Sequence, residues 1–263
     1  MIKFCSLYSG SSGNAIFLRT GKTKLLIDAG LSARKIIEAL YSIGENPSEI
    51  NAVLISHEHA DHIKGAGVIS RKFNIPIYAN ELTWKAMERE IGPVSPVNKV
   101  FFQTGTDFEI RGICVRAFSI PHDASDPVGF NFLIENKKIT TATDIGHINK
   151  ELLTSLEGSD LLLIESNHDL DMLMVGNYPW VLKRRIMSDT GHLSNIMAAR
   201  AIAYLAEKGM RRFVLGHLSK ENNFPELAYQ TSYSALKERN IHPEKDVMLE
   251  IATRDRISRV VHV

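Results

Sequence analysis

His57, His59, Asp61 and His62 fall within six consecutive residues, directly after the apolar run Ala52-Val53-Leu54-Ile55. Imidazole nitrogen and carboxylate oxygen are the donors that borderline and hard divalent cations take. The histidines stand at i and i+2, unlike the H-E-x-x-H helix, whose i and i+4 histidines share a face and hold one zinc. On a loop, His57 and His59 can point to one side while Asp61 and His62 face a second point, so one loop can serve two metals. The competing reading is a solvated histidine-rich loop that binds metal adventitiously.

Such a loop needs a rigid strand behind it, and the chain supplies strands with reactive residues at their ends. Residues 2–8, 15–19 and 24–28 read as strands, joined through Ser9-Gly10-Ser11-Ser12-Gly13-Asn14 and Gly21-Lys22. The first connection is either an anion-binding loop of backbone N–H groups and hydroxyls or only a tight hairpin. Ser32 can cap a helix over 33–43, in which Ile36, Ile37 and Leu40 form an apolar stripe. Beyond the histidine loop, a helix over 65–73, a strand at 75–78 and a helix over 81–91 that Gly92-Pro93 stops are expected. Strands 108–110 and 113–119 form a hairpin that delivers Pro121-His122-Asp123. Strands 128–134 and 138–143 follow, the second ending at Asp144.

The run Leu161-Leu162-Leu163-Ile164 reads as a buried strand leading into Glu165-Ser166-Asn167-His168-Asp169. A helix over 178–187 carries Lys183-Arg184-Arg185, and Ser194, just after Gly191-His192-Leu193, caps another over 195–207. Strand 213–215 ends at Gly216-His217, helix 227–239 follows, and a hairpin of 247–253 with 257–263 closes the fold. With no internal repeat, low-complexity tract or linker, a single domain over 1–263 is expected.

Composition excludes several classes. The formal net charge is +1 and 44% of the 263 residues are hydrophobic, enough for a large core and too balanced for a global basic field. Any nucleic-acid affinity must come from a local patch. Two cysteines, Cys5 and Cys114, lie in apolar settings without C-x-x-C spacing, which fits buried free thiols in a reducing compartment. No apolar segment is long enough to span a membrane and no targeting signal is visible, so a cytoplasmic protein without a membrane partner is expected. No protein partner is derivable.

The pattern H-x-H-x-D-H after an apolar strand resembles the signature of the metallo-β-lactamase fold superfamily. The resemblance implies an α+β fold, a four-layer αββα sandwich, with a two-metal hydrolase site at one edge. In it His57, His59 and His122 would hold one divalent ion, Asp61, His62 and His217 the other, and Asp144 would bridge them. A metal-bridging hydroxide would be the nucleophile. The metals could be zinc, manganese or iron, among which the ligands do not choose. True β-lactamases usually lack the histidine after the aspartate, and many carry cysteine at the Asp144 position, so His62 and Asp144 point to other substrates. Glu165 and His192 resemble the glutamate and histidine that nuclease members place beside the scissile phosphate. These two, with Asp61, are the expected catalytic residues; Ser11, Ser12, Asn14, His168 and His192 are the expected substrate contacts.

Over nearly the whole chain the motifs resemble the YycJ (WalJ)-type subfamily, from Ser9–Asn14 and the histidine loop to Gly216-His217-Leu218-Ser219. That implies a bacterial DNA exonuclease running 5′ to 3′, with DNA as its partner. The rivals are a tRNA 3′-processing endonuclease, for which the Gly/Pro-rich arm is absent, a thioesterase or lactonase, and a noncatalytic metal-binding scaffold. Lys183-Arg184-Arg185 and Arg211-Arg212 are candidate phosphate contacts, or solvated helix faces.

Overall fold

The structure is a computed structural model that describes every residue except Glu244. The chain forms two compact units, one of Met1–Ala117, Ala124–Val128 and Thr253–Val263, the other of Phe118–Asp123 and Gly129–Ala252.

In the first unit β1 (Ile2–Tyr8), β2 (Ala15–Thr20) and β3 (Thr23–Ile27) make an antiparallel meander. From there the sheet turns parallel. Helix α1 (Ala33–Ser42) leads to β4 (Ala52–Leu54), and α2 (Ala60–Ile63) and α3 (Ala66–Phe73) lead to β5 (Ile77–Ala79). Helix α4 (Glu81–Ile91) then brings in β6 (Lys99–Phe101). A hairpin of β7 (Asp107–Ile110) and β8 (Ile113–Ser119, its last two residues counted with the second unit) follows, with Asp107 opposite Arg116. Local chemistry sets these bounds: the Ser32 hydroxyl accepts from the Lys35 N–H at the start of α1, and Gly92 at φ +72° stops α4. Leu26, Ile36, Leu40, Val53, Ile69 and Met87 are among the side chains that fill the core between sheet and helices.

The second unit repeats the plan. Strands β9 (Val128–Ile134, its first residue counted with the first unit) and β10 (Lys137–Ala142) are antiparallel. Helix α5 (Lys150–Leu156) crosses to β11 (Leu161–Glu165), parallel to β10. Every residue of β11 is buried, as a strand covered on both faces requires. Helices α6 (Leu170–Val175), α7 (Trp180–Ile186) and α8 (Asn195–Glu207) precede β12 (Arg212–Gly216), and α9 (Pro225–Glu238) precedes β13 (Met248–Ile251). The alanine-rich face of α8 packs on α9 and on Ile164, Phe213 and Leu215 of the sheet.

Two expectations need correction. Segments 247–253 and 257–263 do not pair with each other: β13 lies parallel to β12, whereas β14 (Val261–His262) runs antiparallel to β1 in the first unit. A strand-like segment carries no information on which partner it takes, so two such segments in succession read as a hairpin. The loop after Ile55 also contains a helical turn, α2, which the i, i+2 histidine spacing had argued against; that spacing ends at His59, the residue preceding the turn. No helix of the described residues is long and apolar enough to cross a membrane. Cys5 is a buried free thiol, its pKa pushed up by burial to about 11, while Cys114, also free, is only half-buried.

Candidate metal centre

In both units most of the reactive residues follow the carboxyl ends of parallel strands, where successive crossover helices leave a crevice for ligands, while His122 follows the antiparallel strand β8 and His192 stands in the loop before α8. In the first unit the backbone leaves β3 through Asp28 at φ +58°, a left-handed conformation that aspartate tolerates better than most residues. This turn aims the Asp28 carboxylate at the end of the neighbouring strand. One oxygen accepts from the Ser56 N–H at 2.8 Å, and the other accepts from the Ser56 hydroxyl at 2.9 Å. The second oxygen also lies 2.8 Å from His62 Nδ1. With Nδ1–H donated to a carboxylate, His62 keeps Nε2 as its lone-pair atom, the arrangement that orients histidine ligands and raises their basicity.

His62 Nε2 is 3.6 Å from an Asp61 carboxylate oxygen. The His57 ring centroid lies 4.0 Å from that of His62, and His57 Nε2 lies 3.1 Å from His59 Nδ1. The loop is fixed by backbone bonds from two sides: Asn14 N–H donates to the Asp61 carbonyl at 2.8 Å, and Ala29 N–H donates to the His62 carbonyl at 2.7 Å. Gly30 is where the approach is closest. A Cβ there would stand 1.6 Å from the Asp61 carbonyl oxygen, so only glycine lets the ligand loop lie down.

The second unit presents a matching set. Asp144, at φ +59°, follows β10, Glu165 ends β11, and His217, at φ +53°, follows β12. His217 Nδ1 lies 3.0 Å from Asp144 Oδ2 and 3.1 Å from Glu165 Oε1. His122 is 3.0 Å through Nδ1 from the Gly191 carbonyl, which leaves Nε2 turned toward Asp144 Oδ1 at 3.7 Å. His192 Nδ1 is 2.9 Å from Glu165 Oε1. The other Glu165 oxygen accepts from the backbone N–H groups of Ile145 and Leu193, at 2.6 and 3.0 Å. Asp144, Glu165, His192 and His217 thus offer ligand atoms within 4.8 Å of one another.

These contacts set the protonation states. Burial disfavours ionised Glu165, yet the adjacent His192 charge and hydrogen bonds from His192 and His217 hold its carboxyl at about 2. Burial likewise opposes the His192 cation, but the charge and hydrogen bond of Glu165 outweigh it and raise the imidazole above its ordinary value. His122 moves the other way, because burial outweighs the Asp144 charge. His168, also buried, is lowered by burial to about 4, and among the described residues neither of its ring nitrogens has a hydrogen-bond partner.

Of the seven expected ligands, the first unit gathers His57, His59, Asp61 and His62, and the second gathers His122, Asp144 and His217. Buried or half-buried imidazoles beside carboxylates, with the far ring nitrogens of His62 and His122 held by oxygen acceptors, are a donor set that suits divalent cations. Ser11 and Ser12 are exposed at the tip of their loop, whereas Asn14 is buried. The Asn14 side-chain Oδ1 accepts from the Gly10 N–H at 2.9 Å, and its Nδ2 lies 3.0 Å from His62 Nε2. Sequence reasoning missed Asp28 and Ser56 as supports; the signal available was an acidic residue ending a strand ahead of Gly30.

Arg211 and Arg212 lie away from the ligand end of β12. Arg212 opens β12 and His217 follows its far end, so five residues at about 3.3 Å each put the two roughly 16 Å apart. Arg211 donates to the carbonyls of Ala206 and Met210. This pair braces loops at the opposite edge of the sheet.

Residues 23–218 match the family described as the Beta-lactamase superfamily domain, a span that holds all seven expected ligands. The chain belongs to the beta-lactamase superfamily. It is 42% identical over 91% of its length to the exodeoxyribonuclease WalJ of Streptococcus pneumoniae serotype 2, covering 90% of that protein. To the exodeoxyribonuclease YycJ of Bacillus anthracis it is 41% identical, over 90% of each chain. Among solved structures it resembles the metallo-beta-lactamase fold protein YhfI from Bacillus subtilis, with a TM-score of 0.72 at 15% identity over 99% of each chain. This superfamily member therefore has the α+β metallo-β-lactamase fold expected from its motifs, and is a metal-dependent hydrolase resembling the YycJ (WalJ) type.

Proposed function

We propose that the chain is a two-metal phosphodiesterase that degrades DNA as an exonuclease, 5′ to 3′, within one hydrolase domain. The observation that carries the proposal is the Glu165–His192 pair. A buried carboxylate favours a charged imidazole beside a donor set for cations, which an ester or thioester substrate would not need and a phosphodiester would use. The 42% identity to an exodeoxyribonuclease over nearly the whole chain supports the same reading.

His57, His59, Asp61, His62, His122, Asp144 and His217 would hold two divalent ions, zinc, manganese or iron, with Asp144 shared. When bound, the ions supply Lewis acidity, lowering the pKa of a water and offsetting charge on the phosphoryl oxygens. Asp28 holds His62 in the tautomer that presents Nε2. Charged His192, steadied by Glu165, faces the scissile phosphate and either binds a nonbridging oxygen or gives its proton to the departing alkoxide as the phosphorus–oxygen bond breaks. Ser11 and Ser12, exposed at their loop tip, would be open to contact the substrate.

The test is a gel assay of 5′-phosphorylated single- and double-stranded DNA with the manganese-loaded protein, Asp61→Ala and His192→Ala alongside, and RNA of the same sequence as a second substrate. Progressive shortening of DNA that both substitutions abolish supports the proposal. Intact DNA in every lane with metal bound overturns it, and cleavage of RNA alone moves the assignment to an RNA-processing member.

A further inference from the structure

The segment between Glu165 and His192 folds into α6 and α7 and leaves apolar side chains uncovered. Met174, Val175, Trp180, Val181 and Met187 are all exposed, Trp180 by 54% of its surface. The three cations of α7 have different fates. Lys183 is buried and donates to the Met174 carbonyl at 2.7 Å, tying the two helices together, and Arg185 pairs with Asp123, the neighbour of His122. Among the described residues Arg184 forms no hydrogen bond or ion pair, and Trp180 has no ring partner and no acceptor for its indole N–H.

Trp180, Arg184 and Met187 are spaced i, i+4, i+7, so they share one helix face. The carboxyl end of the helix reaches His192: the His192 backbone N–H donates to the Ile186 carbonyl at 2.9 Å, so the end of α7 fixes the backbone from which the proposed catalytic imidazole projects. By the helical rise of 1.5 Å per residue, Trp180 lies about 9 Å along the axis from Ile186. A flat aromatic, an unpaired guanidinium and a methionine in line are the elements of a single-strand track: base on indole, phosphate on arginine.

We propose that this face of α7 is a stacking platform for the single-stranded end of the nucleic-acid substrate, with Trp180 under a base and Arg184 on the phosphate beside it. The proposal rests on the nuclease reading above. Charge complementarity argues for this occupant: the one cation on the stripe is unneutralised, and a phosphodiester chain supplies both the anion and the aromatic faces. The two ends of α7 would then do different work, one holding the strand and the other holding His192.

The chain has two tryptophans, and Trp84 is only 3% exposed, so a Trp84→Phe variant leaves Trp180 as the sole indole reporter. The metal-loaded variant would be titrated with 5′-phosphorylated oligothymidylate bearing phosphorothioate linkages, following indole emission. Saturable quenching is expected, with a midpoint weakened on the order of tenfold by Arg184→Ala. In steady state on ordinary single-stranded DNA, Trp180→Ala should raise KM on the order of tenfold with kcat held, and Trp180→Phe should recover most of the loss. Unquenched emission from a protein that still degrades the strand overturns the platform and leaves the nuclease reading standing. Failure to bind or cut any nucleic acid with metal loaded overturns both. Self-association that Trp180→Ala abolishes, without quenching by the strand, assigns the face to a second copy of the chain and overturns the proposal.

Discussion

Asp28 and Asp144 make the same move in the two units. Each lies beyond the end of a strand in the left-handed region, and each turns its carboxylate onto a histidine beyond another strand of its sheet: His62 in α2 after β4, and His217 after β12, two strands away from β10. Asp28→Asn keeps the backbone conformation and loses the charge that fixes His62, so metal affinity should fall roughly 10- to 100-fold with the fold retained. Competition with a chelator followed by metal analysis of the desalted protein measures it. Glu165→Gln removes the partner of the His192 cation. A fall in kcat of about 10²- to 10⁴-fold is expected in a steady-state assay, while the metal content stays near that of the wild type. At this scale the sequence was most readable where ligands were close in number, as in residues 57–62. It was least readable for Asp28, whose importance comes from a contact 34 positions away.

The elements succeed one another as strand, loop, helix, and within each unit the loops carry the chemistry because its parallel strands deliver their carboxyl ends to one edge of that unit's sheet. This is why the sequence reading placed Asp144, Glu165 and His217 on successive strand ends from apolar runs alone. It could not read tightness of approach. Gly30 shows what that costs: Gly30→Ala drives a methyl into the Asp61 carbonyl, and a loss of about 2 kcal/mol or more in urea unfolding is expected, together with lost metal. Ser194→Ala removes the oxygen that accepts from the Met197 N–H at the start of α8, and about 1 kcal/mol should go with it in the same measurement. Sequence spacing located this cap correctly, because capping is a local rule. The pairing of β13 with β12 and of β14 with β1, the latter two at opposite ends of the sequence, was beyond any local rule.

The whole molecule also contains a buried charge cluster unrelated to the metals. Glu45, with no exposed side-chain surface, meets Lys3 at 2.7 Å, Arg19 at 2.9 Å and Lys24 at 2.8 Å. Burial would raise its carboxyl, but hydrogen bonds from Lys24 and Lys3 and their charges bring it below the usual value. A carboxyl lowered by folding stabilises the protein above its unfolded pKa, and this contribution disappears as pH falls through the lower folded value. Glu45→Ala should cost about 3–5 kcal/mol at neutral pH, because Lys3 and Arg19 lose the carboxylate they share and Lys24 is left with Glu49 alone. The deficit relative to wild type should shrink on acidification, which denaturant titrations at several pH values would follow. Finally, β14 covers the outer edge of β1, the first strand of the chain, yet it comes after the entire second unit. During synthesis, β1 therefore waits as an unprotected template for intermolecular strand addition until more than two hundred further residues have emerged. The interval before that edge is sealed is the period in which a nascent chain is exposed to aggregation, and in which chaperone capture would do most.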